Sequence, residues 1–155
     1  MSTTMSSISP ATDSAADATV VGTPADKALL IIRIAAGIVF LFHGSQILFG
    51  AFNGPGLQRF AATPGMGIAK ATLVGLAELC GGLALLTGVL ARVGAACLVI
   101  VMLGAILLVH IKHGFGLPNG MEYAFTQLMV ALAVLIDGPG VYSLSRFLPP
   151  AIRKL

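Results

Sequence analysis

Arg33, His43 and Gln46 stand inside one apolar run, "ALLIIRIAAGIVFLFHGSQILFG", residues 28–50. Glu78 interrupts a second such run, His110 a third, and Glu122 and Gln127 open a fourth. The chemistry available to this set is proton exchange and hydrogen bonding. An imidazole titrates near neutral pH. An amide offers donors and an acceptor, and a carboxyl group in apolar surroundings holds its proton. Such groups suit a ligand with carbonyl or hydroxyl oxygens and an otherwise apolar body. No catalytic step is assignable to any of them from the sequence.

The elements that must position them follow from composition. The chain has 155 residues, 57% hydrophobic and 10% charged. Its mean hydropathy is +0.97. Soluble domains carry about 25% charged residues, and nine basic with six acidic side chains are too few to coat a domain of this size. The net charge of +3 includes no dense basic run, so nucleic-acid binding has no support. Cys80 and Cys97 lie in separate apolar runs without CxxC or Cys/His zinc spacing. They read as small buried hydrophobes, with a redox pair or disulfide as the alternative. No metal site is expected.

Residues 1–26 are rich in Ser, Thr, Ala and Asp and show no period, which predicts a disordered tail. This tail lacks the basic start and apolar stretch of a signal peptide. Four runs long enough to cross a bilayer follow, at 28–50, 69–89, 91–112 and 121–137. They form one membrane domain over 27–148, with a short basic tail at 149–155. Strand alternation is absent. Short connections force antiparallel neighbours, so the expected fold is all-α, an up-down-up-down four-helix bundle in the membrane. Small residues recur at helical spacing: Gly75 and Gly82, Gly81 and Gly88, then Gly94, Cys97 and Gly104. They should let helix backbones approach closely.

Positive charge sets the expected orientation. With the N-terminus inside, Lys27, Arg33, Arg92, Arg146, Arg153 and Lys154 lie toward the inner side and Arg59, Lys70 and Lys112 toward the outer. The prediction is a multi-pass inner-membrane protein with both termini in the cytoplasm.

Helical rise converts position to depth. His43 falls about 22 Å from the inner edge and Glu78 about 14 Å below the outer edge. Gln46, His110, Glu122 and Gln127 share the outer half with His43. Ionisable groups within a membrane usually face the bundle interior. His43, Gln46, Glu78, His110 and Glu122 are therefore the candidate pocket, open toward the outer face. Plainer alternatives stand beside it: an interhelical hydrogen bond for His43, a protonated structural carboxyl for Glu78, and interfacial positions for His110 and Glu122. Arg33 and Asp137 lie at similar depth, about 7 and 6 Å from the inner edge, and are expected to form a structural ion pair. Glu78 is the rival partner, and snorkelling to the headgroups is the alternative for Arg33.

In order, "RIAAGIVFLFHGSQILFGAFNGPG", "GLAELCGGLALLTGVLAR", "HIKHGF" and "GPGVYSL" resemble the DoxX family of small four-span membrane proteins. The resemblance covers about residues 28–145. Arg33, His43, Gly44, Gln46, Leu48, Phe49 and Gly50 match its first-span pattern. Glu78, Gly81 and Gly82 match its second, His110 its third-span histidine and Glu122 the acidic start of its fourth span. Ile47 stands where a lysine is usual, Asn53 where a glycine is common and Ser145 where an aspartate often falls.

The resemblance implies redox metabolism. Some relatives look like subunits of thiosulfate:quinone oxidoreductase, and others resemble membrane partners of soluble detoxifying or sulfur-transferring enzymes. Two functions are thus expected as alternatives. The first is a redox-linked oxidoreductase subunit acting on a quinone or on thiol and sulfur compounds, with a place in oxidative stress. The second is a non-catalytic anchor for a soluble redox or sulfur-transfer enzyme. The expected partners are the lipid bilayer, such an enzyme and a second copy of the chain. No flavin, nucleotide or iron–sulfur motif is present, so electrons would come from a partner or from substrate thiols. Haem between His43 and His110 is disfavoured by their different depths.

Overall fold

Thr23, Pro24 and Asp26 start the first helix. The Thr23 hydroxyl accepts from the Asp26 amide at 3.3 Å while the Asp26 carboxylate accepts from the Thr23 amide at 2.8 Å. This reciprocal cap satisfies two of the amides that a helix start leaves open. Pro24 fits the first turn because its missing N–H is not needed there. Helix α1 then runs Pro24–Phe49 and stops at Gly50. The computed structural model describes residues 22–116 and 118–149. The tail expected over 1–26 therefore lies mostly outside the described residues, and so does 150–155.

Beyond α1, a 3₁₀ turn at Ala51–Asn53 leads to the short helix α2, Gly56–Ala61. Helix α3 spans Gly67–Thr87 and α4 spans Ala91–Ala105. The chain of α4 continues through a π-helical turn, Ile106–His110, and a 3₁₀ turn, Ile111–His113. Helix α5 covers Glu122–Asp137, and a last 3₁₀ turn covers Leu144–Phe147. No strand occurs among the described residues. Three stretches, Pro24–Phe49, Gly67–Thr87 and Ala91–His113, are long and apolar enough to cross a bilayer. The 16 residues of α5 extend about 24 Å, somewhat short of a bilayer's hydrocarbon.

The chain is an all-α, multi-pass membrane bundle. Neighbouring helices run antiparallel in the order α1, α3, α4, α5, and α5 returns to α1. Where the chain enters and leaves is the terminal end, and the α1–α3 and α4–α5 connections lie at the far end. The core gathers Ala36, Phe40, Leu85, Ala95, Leu98, Ala131 and Val134. Large apolar side chains point outward on every long helix, among them Ile31, Leu73, Leu108 and Ile136. In water that surface would be untenable, and in lipid it is the ordinary exterior.

Small residues bring α1 onto α3. A Cβ added at Gly44 would lie 2.6 Å from the Leu79 amide nitrogen, and one at Gly82 would lie 2.8 Å from that of Leu41. Gly94 does the same between α4 and α3, 2.6 Å from Ala84. Van der Waals contact at this range holds helices together where lipid removes the hydrophobic drive. Gly104 differs, with nothing within 4 Å, and Cys97 is exposed.

At the terminal end the chain beyond α5 folds back over the bundle. Ser143 donates to the Gly88 carbonyl at 3.1 Å, and Ser145 is buried beside it. Gly88 ends α3 with φ +74, and a side chain there would collide with Ser143 and the Arg33 guanidinium.

Candidate functional site

Residues 29, 33, 36, 37, 40, 44 and 47 form the buried face of α1. Arg33 lies one turn in from its terminal-end limit at Leu29 and is 1% exposed. The guanidinium donates to Leu85 at 2.8 Å, Leu86 at 3.4 Å and Tyr142 at 3.0 Å, and also to Pro139, all main-chain carbonyls. The ion pair with Asp137 expected from depth is not formed among the described residues, nor is one with Glu78. The physical reason is that α3 ends with unpaired carbonyls and a negative dipole end. A planar fork of donors fits several such acceptors at once. The carbonyl of Asp137 is instead taken by Arg92, at 3.1 Å, with Leu135 at 3.3 Å.

His43 stands beside that buried face, toward the far end. Its ring meets Phe42 edge-on at 5.8 Å and Tyr123 of α5 at 6.0 Å between centroids. Phe42 in turn stacks on Phe52 at 4.9 Å. Glu78 belongs to the α3 row of Ala71, Gly75, Glu78, Gly82 and Leu85, which is buried throughout. Only 7% of Glu78 is exposed, and its Oε2 has no hydrogen-bond partner among the described residues. Gln127, one turn further along α5, shares the face of Tyr123, and its Oε1 is likewise buried without a partner.

Tyr123 and Gln127 line a recess of 360 Å³ together with Phe115, Glu122 and Thr126, and neither His43 nor Glu78 is part of that lining. A second cavity of 220 Å³ lies between α1 and α5, lined by Ile31, Ile32, Ala35, Ala36, Val39, Gln127 and Val130. Gln127 is common to both.

Of the residues singled out from the sequence, His43 lies next to Tyr123, Glu78 is buried on the α3 face, and Glu122 lines the recess. Gln46 rests against Gly54 of the far-end connection, one turn from His43. His110 is engaged elsewhere: its Nδ1–H donates to the Asn119 carbonyl at 2.9 Å and ties the π-helical turn to the loop before α5. Tyr123 escaped the sequence reading. Its signal was the four-residue spacing to Gln127 on the helix that Glu122 opens.

An imidazole, a phenol, an amide and a carboxyl can each donate to or accept from oxygen atoms. A carboxyl group with a free oxygen, set in an apolar core, is also a place where a proton can be held.

Comparison with known proteins fits this architecture. The DoxX family model matches residues 28–111. The chain is 34% identical to "Uncharacterized membrane protein Rv3486" of Mycobacterium tuberculosis, over 76% of this chain and 79% of that protein. It is 25% identical to "Putative oxidoreductase CatD" of Bacillus subtilis, over 76% of this chain and 84% of that protein. No solved structure matches the chain. Family match and shared length agree with the four packed helices, and the chain belongs to the DoxX family.

Proposed function

We propose that this chain is the membrane subunit of a redox system, and that the site between α1, α3 and α5 takes a quinone head group. The observation that carries the reading is the pair of buried oxygens, Glu78 Oε2 and Gln127 Oε1, left without partners among the described residues, with Gln127 one turn along α5 from Tyr123, whose ring meets His43. Burying a polar atom unpaired costs about 1–3 kcal/mol, so a ligand that supplies the missing partner is stabilised by it. In this reading the Tyr123 hydroxyl and the His43 imidazole donate to the quinone carbonyls. Gln127 Oε1 accepts from a quinol hydroxyl, and Glu78 holds a proton for exchange with the ligand. The family relationship to a protein named as an oxidoreductase supports the same direction. The electrons come from a soluble partner enzyme or from substrate thiols. We place the protein in the inner membrane with both termini cytoplasmic, on the excess of Lys and Arg at that end.

The test is purification of the full chain in mild detergent, followed by extraction of bound lipids and quinones. A quinone recovered near one per chain supports the reading. A preparation that holds none and binds none on addition favours an anchor that docks a soluble enzyme.

A further inference from the structure

We infer that the segment after α5, residues 138–148, is a lipid-recognition element: it seats Leu144 and Phe147 in the leaflet at the terminal end and presents Arg146 to the phosphate of an anionic phospholipid. This role is independent of the head-group reading above and of which side of the membrane the terminal end faces.

The polarity of the segment is inverted. Ser143 and Ser145 are buried, whereas Leu144 and Phe147 stand 56% and 73% exposed on one 3₁₀ turn. The inner side is polar because it covers the end of α3, whose last carbonyls have no partner within the helix. Ser143 donates to the Gly88 carbonyl at 3.1 Å, and its oxygen accepts from the Ser145 amide at 3.0 Å. The large apolar side chains are left the outward direction. Exposed to water they would cost free energy, and at the boundary of head groups and acyl chains they are buried.

The height of the segment identifies its surroundings. Arg33 reaches toward the start of α1, as helical side chains do, and binds the Pro139 and Tyr142 carbonyls. A Cβ on Gly140 would lie 2.8 Å from the Leu29 side chain. The segment is therefore held beside residues 29–33, and α1 extends past it for another turn to Pro24. At this height the bundle is ringed by exposed apolar side chains: Ile31 on α1, Leu90 just before α4, and Ile136 in the last turn of α5. Leu144 and Phe147 continue this lipid-facing belt, whereas a face for a soluble protein would stand clear of it.

Charge selects the lipid. From Gly138 to Leu155 the sequence carries Arg146, Arg153 and Lys154 and no Asp or Glu. Lys27 and Arg92 are also exposed at this end, and the acids there among the described residues are Asp26, held in the α1 cap, and Asp137. The Arg146 guanidinium lies over the Phe147 ring, 4.7 Å from its centroid. Stacking of this kind ties the cation to the side chain that enters the leaflet. A guanidinium fits a phosphate through paired N–H donors, and cations near an anionic membrane surface add to the attraction. A zwitterionic head group carries its own ammonium beside the phosphate and is the weaker ligand.

The chain has no tryptophan, so Phe147→Trp in the full chain places a single fluorophore on the segment. Leu144→Trp is a second reporter should the first fail to fold, and Leu108→Trp, on the lipid-facing surface elsewhere, is the control. Each protein is reconstituted in mixed bilayers of phosphatidylcholine and phosphatidylglycerol, one or the other brominated near the carbonyl end of its acyl chains. Blue-shifted emission from Phe147→Trp, quenching by both lipids and a relative association constant about fivefold higher for phosphatidylglycerol are the expected results. Adding Arg146→Gln should at least halve that ratio, and Leu108→Trp should be quenched by both lipids alike. Water-like, unquenched emission from folded Phe147→Trp and Leu144→Trp proteins would overturn the inference and leave this face to a soluble partner. Equal association of the two lipids, the same preference at Leu108→Trp, or a ratio that Arg146→Gln leaves unchanged would overturn it as well.

Discussion

The Arg33 guanidinium and the Leu85 carbonyl are hydrogen-bonded at 2.8 Å across 52 positions of chain. This bond makes α1 the C-terminal cap of α3, since α3 has no basic residue in its own last turn. Arg92 caps α5 in the same way from α4. Two cations on diagonally placed helices, α1 and α4, thus finish α3 and α5, which have no basic residue in their own last turns.

Removing the first cap strands several buried carbonyls at once. Arg33→Ala should cost at least about 3 kcal/mol and lower the melting temperature in detergent by roughly 5–10 °C. Arg33→Lys should recover only part of this, because a single ammonium cannot reach carbonyls on both sides. An Arg33→Ala protein that melts with wild type would mean that the carbonyls find other partners.

Gly88 tests the same assembly from the other side. A side chain there meets Ser143 and Arg33, and the backbone at φ +74 disfavours any Cβ. Gly88→Ala should destabilise the bundle by at least about 1 kcal/mol. Gly104→Ala, with open space around it, should leave stability unchanged or raise it by up to about 1 kcal/mol. Thermal melts of the two variants side by side give the comparison, and equal melting would refute the close-approach argument.

Much of this fold is legible in the sequence, because apolar run length and glycine stops act locally. The four long helices fall close to the runs expected. Helix α1 starts at Pro24 rather than residue 28, since the Thr23–Asp26 cap is a side-chain device that hydropathy does not register. Depth counting brought His43 and Glu78 to one region and put Arg33 level with Asp137. It failed on what Arg33 binds, because unpaired carbonyls at a helix end have no letter in the sequence. It also grouped His110 with the pocket, although azimuth around the helix, altered by the π-helical turn at Ile106–His110, aims it at the α4–α5 loop.

Tyr123 isolates the site's hydrogen bonding from its packing. Tyr123→Phe keeps the ring near His43 and deletes the hydroxyl. Quinone affinity should fall about tenfold, and stability should stay within about 0.5 kcal/mol of wild type. Unchanged affinity would remove the phenol from the site.

Orientation is open to direct labelling. Cysteines placed at Ala15 and Ile152 should react only from the cytoplasmic side, and those at Gly56 and Pro118 only from the opposite side. Outer labelling of either terminal position would reverse the assignment.

The central claim is that the groups around His43 bind a quinone head. Equilibrium titration of a decyl-tailed benzoquinone into the wild-type chain and into His43→Ala, both in nanodiscs and both checked by thermal melt, tests it most directly. The account predicts saturable one-to-one binding to wild type and loss of binding in a variant that remains folded. Equal affinity in the two folded proteins would contradict it.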